Sequence, residues 1–356
     1  MPNGFYSARF SPHSHLLATA SKDEQSAHLW QVPSGWLAYQ PQRKQRRLTN
    51  LNWSLDGTQL VTAWDDGTIQ FEKAGQSSPK QLKSPLKPMT SISFDPQRQL
   101  LAIATKQGQV LIQQHRQTMR SFQAHQDTIY SIQISPDGKF LATASRDETA
   151  KIWDLQGRQQ AQLQGHQGAI YTVRFSPTAP LVLTASADAT VRVWTLQGKP
   201  LTQLAGHQGA VYDARFSPDG QTIATASEDG SIRLWTVQGQ LLRTFRDYPS
   251  SVYRLRFSPD GQRIATGSTD GMIQIWDLRG NLHMELDGHS TPIQDLSFDP
   301  AGQRLTSASN DGLVQVWHLA ASPQQHLAQL IRRGCDWLAN YDASHPQQQR
   351  SVCHTP

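Results

Sequence analysis

Histidine and aspartate recur along this chain in pairings of the kind that serve general acid and base catalysis: His125 with Asp147, His166 with Asp188, His207 with Asp229, and His289 with Asp311. The pairs stand at the same place in separate copies of one sequence unit. A structural device must repeat in this way, whereas a single active site need not. No glycine-rich phosphate loop, metal-spaced group of His and Cys, or nucleophile elbow accompanies them. The two cysteines, Cys335 and Cys353, lie near the C-terminus outside the copies and give zinc no ligand cluster. They fit a reducing compartment or indifference to redox, and a bridge between them stays open. The chain therefore reads as a non-enzyme that takes no metal and no cofactor.

The elements that position these residues are announced by tryptophan. Trp153, Trp194, Trp235, Trp276 and Trp317 return every 41 residues. Each closes a unit best read in GHQGAIYTVRFSPTAPLVLTASADATVRVW, from Gly165 to Trp194. A fixed period of this length means one supersecondary unit stacked many times. Within each unit, short apolar or alternating runs such as AIYTVRF, TIATAS and SIRLW are separated by SPDG-like and EDG-like turn signals, and a fourth run such as LLRTF follows the Trp. Period-two alternation with Gly, Pro and Asp punctuation predicts β-strands, and no segment before residue 320 has a convincing helical period. Four antiparallel strands per unit predict a β-propeller blade. The 356 residues then form one long array, burying about 75% of the unfolded surface with no need of disulfide or metal.

On these residues the chain resembles the WD-repeat family. The resemblance rests on Gly165-His166, Gly206-His207 and Gly288-His289, on FSPDG, on Ser or Thr followed four residues later by Asp, and on Trp six residues after that Asp. It covers residues 1 to 319. Literal Trp-Asp stands at Trp153-Asp154 and Trp276-Asp277, with Thr195, Thr236 and His318 in the second place elsewhere. The resemblance implies a hydrogen-bonded relay inside each blade: His125, Thr143, Asp147 and Trp153; His166, Thr184, Asp188 and Trp194; His207, Thr225, Asp229 and Trp235; His289, Ser307, Asp311 and Trp317. An imidazole between carboxylate and hydroxyl satisfies both its nitrogens, and the indole N–H gives its one donor to the hydroxyl. The seventh unit keeps Thr266, Asp270 and Trp276 but has Tyr248 where the His belongs. The second and third carry Glu72 and Gln113 at the Trp position with no matching His, and are expected to rest on strand pairing and apolar packing. The first keeps Thr19, Asp23 and Trp30 with one extra residue between the last two, and its His would fall on Met1.

Aligned, the units lie near 5–40, 47–83, 88–123, 128–164, 169–205, 210–246, 251–287 and 292–319. The expected fold class is all-β, a WD-repeat β-propeller of eight repeat units. The last blade lacks an outer strand unless the tail supplies it. The alternative is a seven-bladed ring of units two to eight, closed by GWLAYQ at 35–40, with residues 5–31 left as a partial blade. The missing strand leads us to expect that the natural polypeptide extends further upstream or descends from one that did. After Trp317 the period breaks. Ser322 as N-cap, Pro323, then Leu327, Leu330, Ile331, Leu338 and Tyr341 at helical spacing, and a stop at His345-Pro346 predict a helical tail over 320–356, one helix or a pair broken near Gly334, that caps the last blade, with a docking helix for a partner as the alternative. Its RGCDWLANY string resembles the tail that follows WD arrays in many large cyanobacterial signalling proteins.

The net charge of +5 is mild and interspersed, apart from Arg43, Lys44, Arg46 and Arg47. The N-terminus has no basic start followed by an apolar run, and no stretch approaches the roughly 20 apolar residues of a membrane span. A cytoplasmic bacterial monomer that makes no membrane contact is expected. Function is then sought where the copies differ. Four residues before the end of each first strand stand Tyr6, Thr49, Thr90, Tyr130, Tyr171, Tyr212, Tyr253 and Gln294. The resemblance places this position near the channel mouth on the top face, where five tyrosines would form an arc. Tyrosine offers contact area at low entropic cost. The alternative is that the phenols pack between blades with their hydroxyls tied to neighbouring backbone. The residue before each turn Asp, namely Lys22, Asp65, Arg146, Ala187, Glu228, Thr269 or Asn310, is expected to face the same way, and its mixed charge favours a specific protein over a uniform polyanion. The expected function is a non-catalytic protein-protein interaction scaffold, the sensor or docking module of a bacterial signalling protein. It would bind a protein or peptide through Tyr6, Tyr130, Tyr171, Tyr212, Tyr253, Gln294, Arg146, Glu228 and Asn310. The alternatives are nucleic-acid or polyanion binding through residues 43–47, and an enzyme with a channel site.

Overall fold

Short apolar runs broken by tight turns leave each strand its neighbour in sequence to pair with, and the chain folds into eight antiparallel sheets. The computed structural model describes the backbone of strands from Phe5 to His318 and, with short gaps, side chains from residue 67 to 319; the other residues, 320–356 among them, lie outside what it describes. Among the described residues seven sheets have four strands, and the eighth, made of Ile293–Phe298, Arg304–Ser309 and Val314–His318, has three. Strands pair in chain order, as in repeat 5 with Ile170–Phe175, Leu181–Ser186, Val191–Thr195 and Pro200–Leu204. Trp36–Tyr39, which the seven-bladed alternative assigns to the last sheet, pairs instead with Ser26–Gln31 in the first. The chain divides by contact density into Met1–Val316 and Trp317–Pro356.

First strands lie against first strands from repeat to repeat, and that of repeat 1 (Phe5–Phe10) lies against those of both repeat 2 (Leu48–Trp53) and repeat 8. They form the inner wall of a propeller, with one strand edge unpaired within each sheet. Such an edge carries backbone N–H groups that need acceptors. Side chains from the preceding repeat supply them: Ser91 Oγ accepts from Ile132 N at 3.3 Å, Ser93 Oγ from Ile134 N at 3.1 Å, and Gln133 Oε1 from Phe175 N at 2.8 Å. Polar residues thus face the channel for a backbone reason.

Among the described residues the core sits between sheets, with one apolar cluster at each junction from repeat 2 to repeat 7. Leu100, Ala102, Val110 and Ile112 of repeat 3 close on Ile129, Ile132, Leu141 and Trp153 of repeat 4. Ala142, Ala144 and Ile152 of repeat 4 likewise meet Ile170, Val173 and Trp194 of repeat 5. The small alanines of the ATAS strands leave room for the next repeat's indole. Burying one indole removes roughly 200 Å² from water, on the order of 5 kcal/mol before conformational entropy is counted. Phe122 and Phe245, on outer strands, pack against Trp153 and Trp276 of the following repeat at ring-centre distances of 4.8 and 5.4 Å, the first pair tilted and the second stacked.

Candidate functional site

In repeats 4 to 6 the His and Asp pairs form closed networks. His166 Nδ1 lies 2.7 Å from Asp188, its Nε2 lies 2.8 Å from Thr184 Oγ1, and the Trp194 indole donates to the same hydroxyl at 2.9 Å. A carboxylate accepts only, so Nδ1 carries the proton, Nε2 accepts from the hydroxyl, and the hydroxyl oxygen receives the indole N–H. His125 and His207 repeat this arrangement with Asp147, Thr143 and Trp153, and with Asp229, Thr225 and Trp235. Each carboxylate also takes a hydroxyl that the sequence reading missed, from Thr149, Thr190 or Ser231 at 2.6–2.7 Å. The signal was a Ser or Thr two residues after the Asp in all three repeats.

Burial works against charge on Asp147 and Asp188. Bonds from His125 and Thr149, and from His166 and Thr190, outweigh it and hold both carboxyls far below the usual carboxylate range. Asp229 is held low against burial by Ser231, the Gln208 amide and His207. Burial lowers the His125 pKa despite the Asp147 bond, which keeps that ring neutral. These groups have spent their hydrogen-bonding capacity on one another, which suits a brace.

The variant repeats depart as their sequences do. In repeat 7 the Trp276 indole still donates to Thr266 at 3.2 Å, while Asp270 accepts from the Ser268 hydroxyl and the Met272 amide. In repeat 8 His289 Nε2 lies 2.7 Å from Ser307 Oγ, and Trp317 is buried. In repeat 3 Gln113 is buried at the Trp position beside fully buried Ile103 and Leu111. Asp311, Tyr248, the Glu72 side chain, the side chains of repeat 1 and both cysteines lie outside the described residues.

At the rim, the pairing shows a device that alternation alone could not reveal. In repeat 4 Ile129 pairs with Ser145 and Ser131 with Ala144, so Tyr130 is an extra, bulged residue. Tyr171, Tyr212, Tyr253 and Gln294 are bulged in the same way, as are Tyr6, Thr49 and Thr90. A bulge breaks the pleat and re-aims a side chain. The rings of Tyr130, Tyr171, Tyr212 and Tyr253 follow one another with centroids 5.5, 5.7 and 5.2 Å apart. Tyr130 is 40% exposed, the other three are partly buried, and none of the four hydroxyls bonds to another described group. Burial, with Tyr130 and Glu228 nearby, raises the Tyr171 pKa; burial and Glu228 raise that of Tyr212. The Tyr171 and Tyr212 phenols therefore stay protonated and present hydroxyl donors. Arg146 and Glu228 are exposed, with Glu228 fixed by the Ala210 amide at 3.1 Å. Thr90 is tied to the Ile129 carbonyl at 2.6 Å. The side chains of Tyr6, Gln294 and Asn310, the 43–47 cluster and the tail lie outside the described residues.

Beside the arc on the same inner strands is a charged layer that the sequence reading passed over, although YDARF, YRLRF and QDLSF spell it out. Arg256 bridges two repeats, donating to Asp213 and to Asp295 at 2.8 Å each. Arg215 Nε lies 3.2 Å from Asp213, and the Arg254 guanidinium lies 4.2 Å from the Tyr253 ring centre. Among the described residues no group of three or more His, Cys, Asp or Glu is placed to hold a metal ion.

Comparison with known proteins adds to this geometry. Residues 88–246 match the family described as IFT122 first beta-propeller, and 239–277 and 280–318 each match the WD domain, G-beta repeat. The chain is similar to the uncharacterized WD repeat-containing protein slr1410 of Synechocystis sp., 29% identical over 119 residues, 32% of this chain and 34% of that protein. It is also similar to THO complex subunit 3 of Arabidopsis thaliana, 26% identical over 145 residues, 40% of this chain and 45% of that protein. The matches thus span less than half the length of these relatives. Among solved structures, the fold is similar to Chaetomium thermophilum Sqt1 bound to the N-terminus of the ribosomal protein L10. There the TM-score is 0.80 at 19% identity, over 89% of this chain and 97% of that one.

Proposed function

Starting from an all-β propeller fold that carries WD repeats, we propose that this protein is a non-catalytic interaction scaffold that binds a protein or peptide across the tyrosine arc. One observation carries the reading: four bulged tyrosines from successive repeats stand ring beside ring, with hydroxyls that bond no other described group. A phenol that only filled space between blades would be buried with its hydroxyl satisfied. Rigid amphipathic rings in a row give contact area at little entropic cost. WD propellers generally serve as protein-interaction scaffolds, and the fold neighbour Sqt1 holds the N-terminus of a ribosomal protein. We further place the protein in the cytoplasm as a monomer, readings that fractionation and light scattering check.

The test is affinity capture from the native lysate with quantitative mass spectrometry, comparing wild type with Tyr171→Ala/Tyr212→Ala. The double variant is expected to melt near wild type and to lose most of the captured partner. Undiminished capture would move the binding surface elsewhere.

A further inference from the structure

Backbone bonds set a second row of side chains along the tyrosine arc. In four successive repeats the residue before the turn Asp donates its N–H to the carbonyl two residues before the bulged tyrosine: Arg146 to Thr128, Ala187 to Ala169, Glu228 to Ala210 and Thr269 to Ser251, at 2.8–2.9 Å. Each is thereby held beside the tyrosine of its own repeat. Ala187 and Thr269 are neutral, and Arg146 has the Asp127 carboxylate 3.8 Å away. Glu228 is the charge in this row that meets no opposite charge among the described residues.

Its position is fixed from two sides. One carboxylate oxygen accepts from the Ala210 amide at 3.1 Å, and the Glu228 carbonyl accepts from the Ser251 hydroxyl at 3.1 Å, which ties the residue to the segments leading into Tyr212 and Tyr253. The residue is exposed, and its second carboxylate oxygen is left for a donor. Its charge reaches the Tyr171 and Tyr212 phenols and helps to raise both their pKa values. The next ring of the arc shows what such a surface takes, because the Arg254 guanidinium lies over Tyr253 at 4.2 Å from the ring centre. A guanidinium laid flat on a phenol keeps its in-plane N–H groups for a carboxylate, whereas an ammonium, compact and strongly hydrated, does not stack in this way.

We propose that the arc and Glu228 together receive an arginine side chain of the bound peptide, its guanidinium on the Tyr212 ring and its N–H edge donating to the Glu228 carboxylate, so that the partner segment is basic at this point. The proposal rests on the arc being a peptide-binding surface.

The full chain, immobilised, is incubated with a random library of N-acetylated peptides, and retained peptides are sequenced. Wild type is expected to retain peptides enriched in Arg over Lys, with retention falling as salt rises from about 0.05 to 0.5 M. Citrulline in place of the enriched arginine, which keeps the shape and removes the charge, is expected to weaken a retained peptide about tenfold. Glu228→Gln, which keeps an acceptor for the Ala210 amide, is expected to weaken the arginine peptide by a similar factor and to leave the citrulline peptide unchanged, the mark of a pairwise contact. Tyr171→Ala/Tyr212→Ala is expected to lose retention of every class. No arginine excess, one shared equally by Lys, or one unchanged in Glu228→Gln would overturn the arginine inference and leave the scaffold reading standing. An arginine excess kept in the tyrosine variant would overturn the arc and the proposal with it. No retention by wild type overturns both. Thermal melts of each variant separate loss of binding from loss of fold.

Discussion

At the scale of single residues, the His and Asp pairs are braces whose value lies in leaving nothing buried unsatisfied. Replacing His166 or Asp188 with Ala is expected to lower stability by about 1–3 kcal/mol in urea unfolding, without abolishing partner capture at low temperature; an unchanged midpoint would show that the network carries no load. The shared hydroxyl makes a sharper comparison. Thr225→Val strips a partner from both His207 and Trp235, whereas Thr225→Ser keeps the hydroxyl. The valine variant is expected to cost about 1 kcal/mol more than the serine variant, and equal costs would contradict the assignment. Titration follows the same logic. His125 takes its proton less readily folded than unfolded, so below about pH 6.5 the unfolded chain gains protons first and stability falls. Asp147, Asp188 and Asp229 stay ionised to lower pH when folded, which adds a second loss beginning near pH 4 and deepening with acid. Stability should therefore be full above about pH 7, and Asp188→Asn, which cannot titrate, should flatten the fall below about pH 4.

At the scale of elements, hairpin turns and bulges decide where side chains go. The turn between second and third strands holds a left-handed residue in each of repeats 3 to 7, supplied by Gly108, Gly230 and Gly271 but by Glu148 and Ala189 in repeats 4 and 5. A methyl on Gly271 would collide with the His289 carbonyl oxygen, at φ +93°. Gly271→Ala is thus expected to lower the unfolding free energy by about 1–3 kcal/mol, while Ala189→Gly should stay within about 1 kcal/mol of wild type; the reverse order in chemical denaturation would refute this account of the turns. Strand existence and the brace in repeats 4 to 6 were legible, because period-two runs, turn residues and a fixed Trp spacing are all local. The arc position was legible too, through its variation among copies. The reason for its orientation was not, since a bulge is a pairing property and period two alone would send Tyr130 and Ser131 to opposite faces. The arginine layer was missed because Arg174, Asp213, Arg256 and Asp295 sit in different copies and meet only when inner strands from repeats 5 to 8 are brought side by side.

At the scale of the whole molecule, the inner strand of repeat 1 lies between those of repeats 2 and 8, as an eight-bladed ring closed through repeat 1 would require. Removing residues 1–46 should open that ring and leave a chain that aggregates or melts much lower, whereas a soluble product with unchanged melting would favour seven blades. The braces of repeats 4 to 6 pin loop to strand within each sheet, and that fixity is what four tyrosines from four repeats need to act as one surface. The most direct measurement of that role is site-specific photo-crosslinking in the native lysate, with benzoylphenylalanine placed at Tyr130 in the arc or, as control, at exposed Leu241 on an outer strand. The account predicts a covalent partner adduct from position 130 and none from position 241. An adduct from 241 with none from 130 would contradict it.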